Sequence, residues 1–233
     1  MNVPMRALPT RLLARRWALL GLFMGVFTPL VVFGELAEDV WAREGFSWDT
    51  PLLWVIHAYA SPPLDTLMLL ITDVGAPLPM IGFVAVLLGL LLWRGCYGDA
   101  VFAAIAVGGA ALLDVLAKGL FQRHRPELWP QLTPETDWGF PSGHAMGSLA
   151  VVATLVIVLW PTRWRWLALG VGGVFVLLVG LSRLYLGVHY PSDIVAGWCA
   201  SLAWVTGVYH LRSVPLPAGF PHRMAQWRGL RGA

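Results

Sequence analysis

Charge is what this 233-residue chain has least of. Lys, Arg, Asp and Glu together make up 12% of it and 58% is hydrophobic, whereas an average soluble domain is roughly 25% charged. Such a chain cannot clothe a water-soluble globule, so lipid is read as its solvent. Cysteine is nearly absent too. The two present, Cys96 in a short inner link and Cys199 inside the last apolar run, sit at different depths and form no CxxC, which excludes a disulfide framework and a thiolate metal site. No internal repeat, low-complexity tract or polar linker divides residues 1–233, and a single membrane domain is expected.

What the chain has instead is long apolar runs. About 20 such residues cross a bilayer core of roughly 30 Å, and six runs qualify, at residues 17–35, 77–93, 100–121, 144–160, 166–183 and 193–211. The first follows Arg6, Arg11, Arg15 and Arg16, as in a signal peptide, but it is too long for a signal core and has no clear small-residue cleavage site, so it is read as an anchor. Residues 50–75 hold two shorter apolar pieces, 52–59 and 64–71, broken by Ser61-Pro62-Pro63. Neither can span, and the prolines oppose one continuous helix. An interfacial or re-entrant helical pair on the outer side, bordering a lateral lipid entrance, is expected; a single kinked span is the alternative and would reverse the topology. The fold class is therefore all-α, a polytopic membrane helical bundle of six transmembrane helices plus that pair.

Lys and Arg are retained on the cytoplasmic side of a membrane. With tails 1–16 and 212–233 inside, the inner segments carry 11 of the 16 basic residues, and only Arg43, Lys118, Arg123, Arg125 and Arg183 lie outside. The net charge of +3 is thus a topology signal, and no nucleic-acid partner is expected.

Ionisable groups at span ends are costly and mark candidate sites. Here they gather at the outer surface. Lys118 and Arg125 lie seven residues apart, and the residue before Pro126 is pushed out of the α region, so Arg125 can bend back over Lys118 as a cationic clamp. Interfacial snorkelling is the plainer reading of such residues, and Arg123 is assigned to it. Pro141-Ser142-Gly143-His144 reads as a helix start, with Ser142 as N-cap and Gly143 allowing a ligand close to the first free amides. A phosphate suits such a terminus; an ordinary capped span with an interfacial histidine suits it equally. His189 and Asp193, four residues apart, can form an imidazole oriented by a carboxylate in a helical first turn, which leaves the other nitrogen as a nucleophile. A capping Asp beside a satisfied His, or two metal ligands, are the alternatives, the second weakened by the crowd of Lys118, Arg125 and Arg183.

Taken together, Lys118-x6-Arg125-Pro126, Pro141-Ser142-Gly143-His144 and Ser182-Arg183-x5-His189-x3-Asp193 resemble the three motifs of the type 2 phosphatidic acid phosphatase superfamily, intact and in order, over about residues 50–210. The resemblance implies His189 as the nucleophile that carries the phosphoryl group, Asp193 as its orienting carboxylate and His144 as proton donor to the departing oxygen. It implies Lys118, Arg125, Arg183, Ser142 and the Gly143 amide as phosphoryl ligands, with Pro126, Pro141 and Ser182 in support and no metal or cofactor. Asp114, outside the motifs, is one turn before Lys118 and able to pair with it. Only 14 residues, 127–140, separate the first two motifs, which matches the small bacterial six-span type. That type implies hydrolysis of undecaprenyl pyrophosphate, phosphatidic acid or phosphatidylglycerophosphate at the outer face of the inner membrane. A lipid phosphotransferase and a non-hydrolytic lipid transporter are the competing classes.

Overall fold

The computed structural model describes residues 19–212, and every regular element among them is a helix. In chain order these are α1 (Leu19–Trp41, π-helical over Phe23–Phe27), α2 (Asp49–His57), α3 (Pro62–Val74), α4 (Pro77–Trp93), α5 (Tyr97–Phe121), α6 (Gly143–Leu159), α7 (Arg165–Tyr185) and α8 (Pro191–Leu211). The expected tails, and the first two residues of the first expected span, lie outside the described residues.

Prolines set the breaks. Pro62, Pro77 and Pro191 each stand at a first helical position, behind an extended Ser61, Ala76 or Tyr190. The ring disfavours α geometry in the residue before it, so the segment over residues 50–75 divides into α2 and α3 where the sequence predicts. The first span runs further than hydropathy alone indicates, because the helix continues through Glu35, Glu38 and Asp39 to Trp41.

Length and composition make α1, α5, α7 and α8 able to cross a bilayer, and a fifth crossing results if α3 and α4, bent by 45°, are one broken span. The remaining apolar helix, α6, has 17 residues, about 25 Å at 1.5 Å per residue. It is central nonetheless: it packs on α5, α7, α8 and α4, while α1 rests on α8. The contact between α5, α6 and α8 is built on Phe102, Ala106, Ala110, Ala150 and Val205. Small side chains let backbones approach where hydrophobic force between helices is absent. Large apolar side chains point outward instead, among them Leu78, Ile81, Val115 and Leu177, as lipid contact requires.

The two ends differ. At one, Arg212 Nη2 meets Asp99 Oδ1 at 2.7 Å, and Arg163 and Arg165 lie over Trp160, Trp164 and Trp166, a basic aromatic rim of interfacial type. The other end receives the C-termini of α5 and α7 and the N-termini of α6 and α8, and holds every motif.

Close packing gives a test. An added Cβ at Gly109 would lie 2.3 Å from the Trp204 ring, whereas Gly108 faces open space. Gly109→Val should lower the thermal midpoint in detergent by several degrees, in line with overpacking costs of about 1–3 kcal/mol. Gly108→Val should leave it nearly unchanged. Equal midpoints would show that Trp204 is not seated against α5.

Candidate active site

Helix α5 stops at Phe121 because Gln122 adopts a left-handed φ of 48°. The chain therefore doubles back across the bundle end and carries Arg125 to the α7–α8 link. There Arg125 Nη1 donates to the Val188 carbonyl at 2.7 Å and lies 2.9 Å from His189 Nε2. Guanidinium only donates, so Nε2 bears the lone pair and the ring proton is assigned to Nδ1.

That Nδ1 is 3.4 Å from Asp193 Oδ2 and has no closer partner. The distance is beyond a direct hydrogen bond, and the expected helical first turn accounts for it: α8 begins only at Pro191, which leaves His189 in the lead-in. Asp193 is held independently of the histidine, accepting from the Tyr190 amide at 2.8 Å and from Arg123 Nη1 at 2.5 Å. Burial, reinforced by the charges of Arg125, Arg183, Lys118 and His144, holds the His189 imidazole well below the usual histidine range. It is neutral at neutral pH, with a free nitrogen beside a guanidinium.

Arg123 is no snorkelling residue. Its Nη2 lies 2.8 Å from Asp49 Oδ2 and its Nη1 is 2.7 Å from Ser192 Oγ. Asp49, at the start of α2 and almost fully buried, also accepts from the Ser192 amide at 2.9 Å and the Ser192 hydroxyl at 2.6 Å. Arg123 thus links two buried carboxylates, from α2 and α8. Burial alone would lower its basicity, but Asp193 and Asp49 outweigh that and raise it.

The other three cations meet carboxylates from the link between α5 and α6. Lys118 Nζ is 2.6 Å from Asp137 Oδ2 and 3.4 Å from Asp114 Oδ2. Arg125 Nη2 is 2.5 Å from Asp137 Oδ1 and 2.7 Å from Glu135 Oε2. Arg183, buried in the last turn of α7, pairs with Glu135 and donates from Nη1 to Thr72 Oγ1 of α3 at 2.7 Å. Ser142 caps α6, accepting from the Ala145 amide at 3.5 Å, and its own amide donates to the Asp193 carbonyl at 3.1 Å. A side chain at Gly143 would meet Asp114 Oδ2 at 2.8 Å, so a carboxylate lies against that helix start. His144 follows in the first turn of α6, partly exposed. Pro126 and Pro141 are buried, and Ser182 bonds back to the Val179 carbonyl at 2.7 Å, which makes it a helix-packing residue.

Sequence reasoning missed Asp49, Thr72, Glu135 and Asp137. The first two lie in α2 and α3, outside any motif. The last two had a visible signal, since the 14-residue link between the first two motifs carries three acids, Glu127, Glu135 and Asp137, and no basic residue. A cleft of about 470 Å³ opens beside Arg125, Trp129, Gln131 and Glu135. An apolar groove of about 460 Å³ descends among Leu113, Ala117, Phe121, Pro141, Met146 and Trp204. Among the described residues, no three His, Cys, Asp or Glu side chains form a metal-binding group.

A family model described as the PAP2 superfamily matches residues 99–215. The chain is 31% identical over 149 residues to phosphatidylglycerophosphatase B of Bacillus subtilis (strain 168), covering 60% of this chain and 71% of that protein. It is 25% identical over 195 residues to undecaprenyl-diphosphatase of Sulfolobus acidocaldarius, covering 82% of this chain and 87% of that one. The fold matches the crystal structure of a transmembrane PAP2 type phosphatidylglycerolphosphate phosphatase from Bacillus subtilis with a TM-score of 0.71 and 25% identity, over 81% of this chain and 97% of that chain.

The Arg123 network makes a prediction of its own. Removing one partner of a buried pair typically costs about 3–5 kcal/mol, because the other charge is left uncompensated. Asp49→Ala and Arg123→Ala should each destabilise the folded protein strongly, and the double variant should lose clearly less than the two losses added. Losses that add within about 0.5 kcal/mol, the behaviour of independent sites, would dissolve the pair.

Proposed function

The chain belongs to the PAP2 superfamily and is a multi-pass membrane phosphatase, and on that premise we propose that it hydrolyses a lipid phosphate or lipid pyrophosphate through a phosphohistidine on His189. The observation that carries this reading is the 2.9 Å approach of Arg125 to His189 Nε2. A neutral nucleophile adjoins a cation able to grip a phosphoryl oxygen. Nε2 attacks phosphorus while the bond to the lipid oxygen breaks, and His144, carrying a proton once the anionic phosphoryl group has entered, gives that proton to the departing oxygen. The Nδ1 proton of the new imidazolium faces Asp193. Water, deprotonated by His144, then attacks the phosphohistidine, which releases orthophosphate and restores the imidazole. Lys118, Arg125, Arg183, Ser142 and the Gly143 amide stabilise the charge that develops on the phosphoryl oxygens, where preorganised donors contribute most.

The apolar groove beside Pro141 supports a lipid substrate, and the names of the relatives make phosphatidylglycerophosphate and undecaprenyl pyrophosphate, with phosphatidic acid, the candidates to compare. Each of α4 and α6 counts as a crossing in our reading, giving six, with α2 and α3 interfacial or re-entrant. The site then faces the outer side of a bacterial inner membrane.

Phosphate release from these three lipids and from an aryl phosphate, assayed in detergent with excess chelator, tests the chemistry. His189→Ala should be at background on all of them. His144→Ala should lose about 10²–10⁴-fold on lipid, the usual worth of a general acid, and recover most of that loss on the aryl phosphate, whose leaving group needs little protonation. Asp193→Asn should fall between. Equal recovery in both histidine variants, or no release by the unaltered protein, would defeat the assignment.

Sidedness is read by labelling. Thr136 is exposed in the α5–α6 link, and Cys96 lies at the opposite end. In intact cells an impermeant maleimide should label Thr136→Cys, with both native cysteines replaced, and should reach Cys96 of the native chain only after the membrane is opened. The reverse pattern would turn the site inward.

A further inference from the structure

The three cations of the phosphate site are already gripping anions. Asp137 bridges Lys118 and Arg125, at 2.6 and 2.5 Å, and Glu135 bridges Arg125, at 2.7 Å, and Arg183. Two carboxylates supply two negative charges and four oxygens. A phosphomonoester brings about −1.5 to −2 charges and three strong acceptor oxygens. The exchange of one set for the other nearly conserves charge.

The site needs some such anion at all times. Arg183 is 2% exposed, and a buried guanidinium without a partner is strongly destabilising. Yet these carboxylates are not fixed in place as the others are. Arg123 is held by Asp49 and Asp193, 3% and 0% exposed, whereas Glu135 and Asp137 are 25% and 51% exposed on a link without helix or strand. Once a phosphate takes over the three cations their side chains can swing into water, while the Asp137 carbonyl still accepts from Arg125 Nε at 2.9 Å. Asp137 is anionic there: burial would raise its carboxyl, but Lys118 and Arg125 outweigh it and hold it below the usual range.

We propose that Glu135 and Asp137 are specificity-determining residues, a built-in phosphate mimic that occupies Lys118, Arg125 and Arg183 between turnovers and yields only to a terminal phosphate. This rests on the phosphatase reading. Its use follows from where the site lies. The headgroups around a membrane site are mostly phosphodiesters, with one charge and two of the four oxygens esterified. Such a group brings one charge against two and two free oxygens against four, so it is a poor exchange for the two carboxylates, and bulk lipid is disfavoured by competition rather than by shape. Specificity of this kind is a penalty built against the wrong ligand. The same carboxylates return after hydrolysis and expel orthophosphate.

The test compares the unaltered protein with Glu135→Gln, Asp137→Asn and the double variant, using aryl phosphate hydrolysis. Apparent affinity falls by the fraction of molecules that are open, so a mimic engaged about nine-tenths of the time predicts an orthophosphate inhibition constant about tenfold lower once it is removed. Phosphatidylglycerol added to the micelles should inhibit the double variant and leave the unaltered protein unaffected. If the carboxylates instead brace the cations, orthophosphate will bind equally or more weakly in the variants, and the proposal fails. Should the variants not fold, Thr136→Cys carrying a nitroxide keeps both carboxylates and should gain mobility with saturating orthovanadate; no gain overturns the proposal. An unaltered protein inhibited by neither orthophosphate nor orthovanadate would remove the phosphatase reading itself.

Discussion

The site depends first on where the carboxylate of Asp193 is held. It is the third residue of α8, and its two oxygens accept from the Tyr190 amide and from Arg123. The first bond closes the start of a helix that Pro191 opens, so the local fold fixes the oxygen that faces His189. The second brings in Arg123, and through it Asp49 and α2. A carboxylate buried without such partners would lose its charge. An uncharged group there could not stabilise an imidazolium on His189. The backbone agrees, since the Ser142 amide donates to the Asp193 carbonyl and ties the start of α6 to the start of α8.

This dependence gives the two short helices α2 and α3 a chemical reason to exist. Helix α2 contributes Asp49 to the Arg123 bridge, and α3 contributes Thr72 to Arg183. Tyr185 adds a further tie, its hydroxyl donating to Asp65 Oδ1 at 2.6 Å and accepting from the Ser61 amide at 3.1 Å. The two short helices therefore cover the α7–α8 end of the site from the side, over the Arg123 and Arg183 contacts that they help to make. An interaction at 4 Å is worth about 1 kcal/mol in bulk water and several times more at a partly dry protein surface.

What could be read in the sequence followed from whether a feature is local. Apolar length marked the long helices, and Ser61-Pro62-Pro63 marked the break before α3, because both act within one turn of chain. The motif cations and histidines were legible as costly groups at the ends of apolar runs. The partners were not. Asp49 lies 74 residues from Arg123, and Thr72 lies 111 from Arg183, so no periodicity links them. Arg123 was misassigned for the same reason: a basic residue beyond a span end looks the same whether it snorkels or reaches a buried acid. The histidine and aspartate were placed in one helical turn because their spacing allowed it, and only the position of Pro191 decides that His189 stays outside the helix.

Charge balance makes sense of which residues the motifs leave out. Four cations converge at this end, Lys118, Arg123, Arg125 and Arg183, and each has a carboxylate within reach from Asp49, Asp114, Glu135, Asp137 or Asp193. A cation whose role is structural can be matched by a buried acid on a helix, as Arg123 is. A cation proposed to bind and release a substrate anion is matched by a helical acid only at longer range, as Lys118 is by Asp114 of α5 at 3.4 Å, because a close buried partner would compete with the ligand at full strength. The close partners of these cations are Glu135 and Asp137, part-exposed and exposed on a link without regular structure, which water can accept when they leave. The division between the Arg123 pairs and the Glu135 and Asp137 pairs therefore follows from turnover itself: the same charges are locked where geometry must persist and loosely held where it must change.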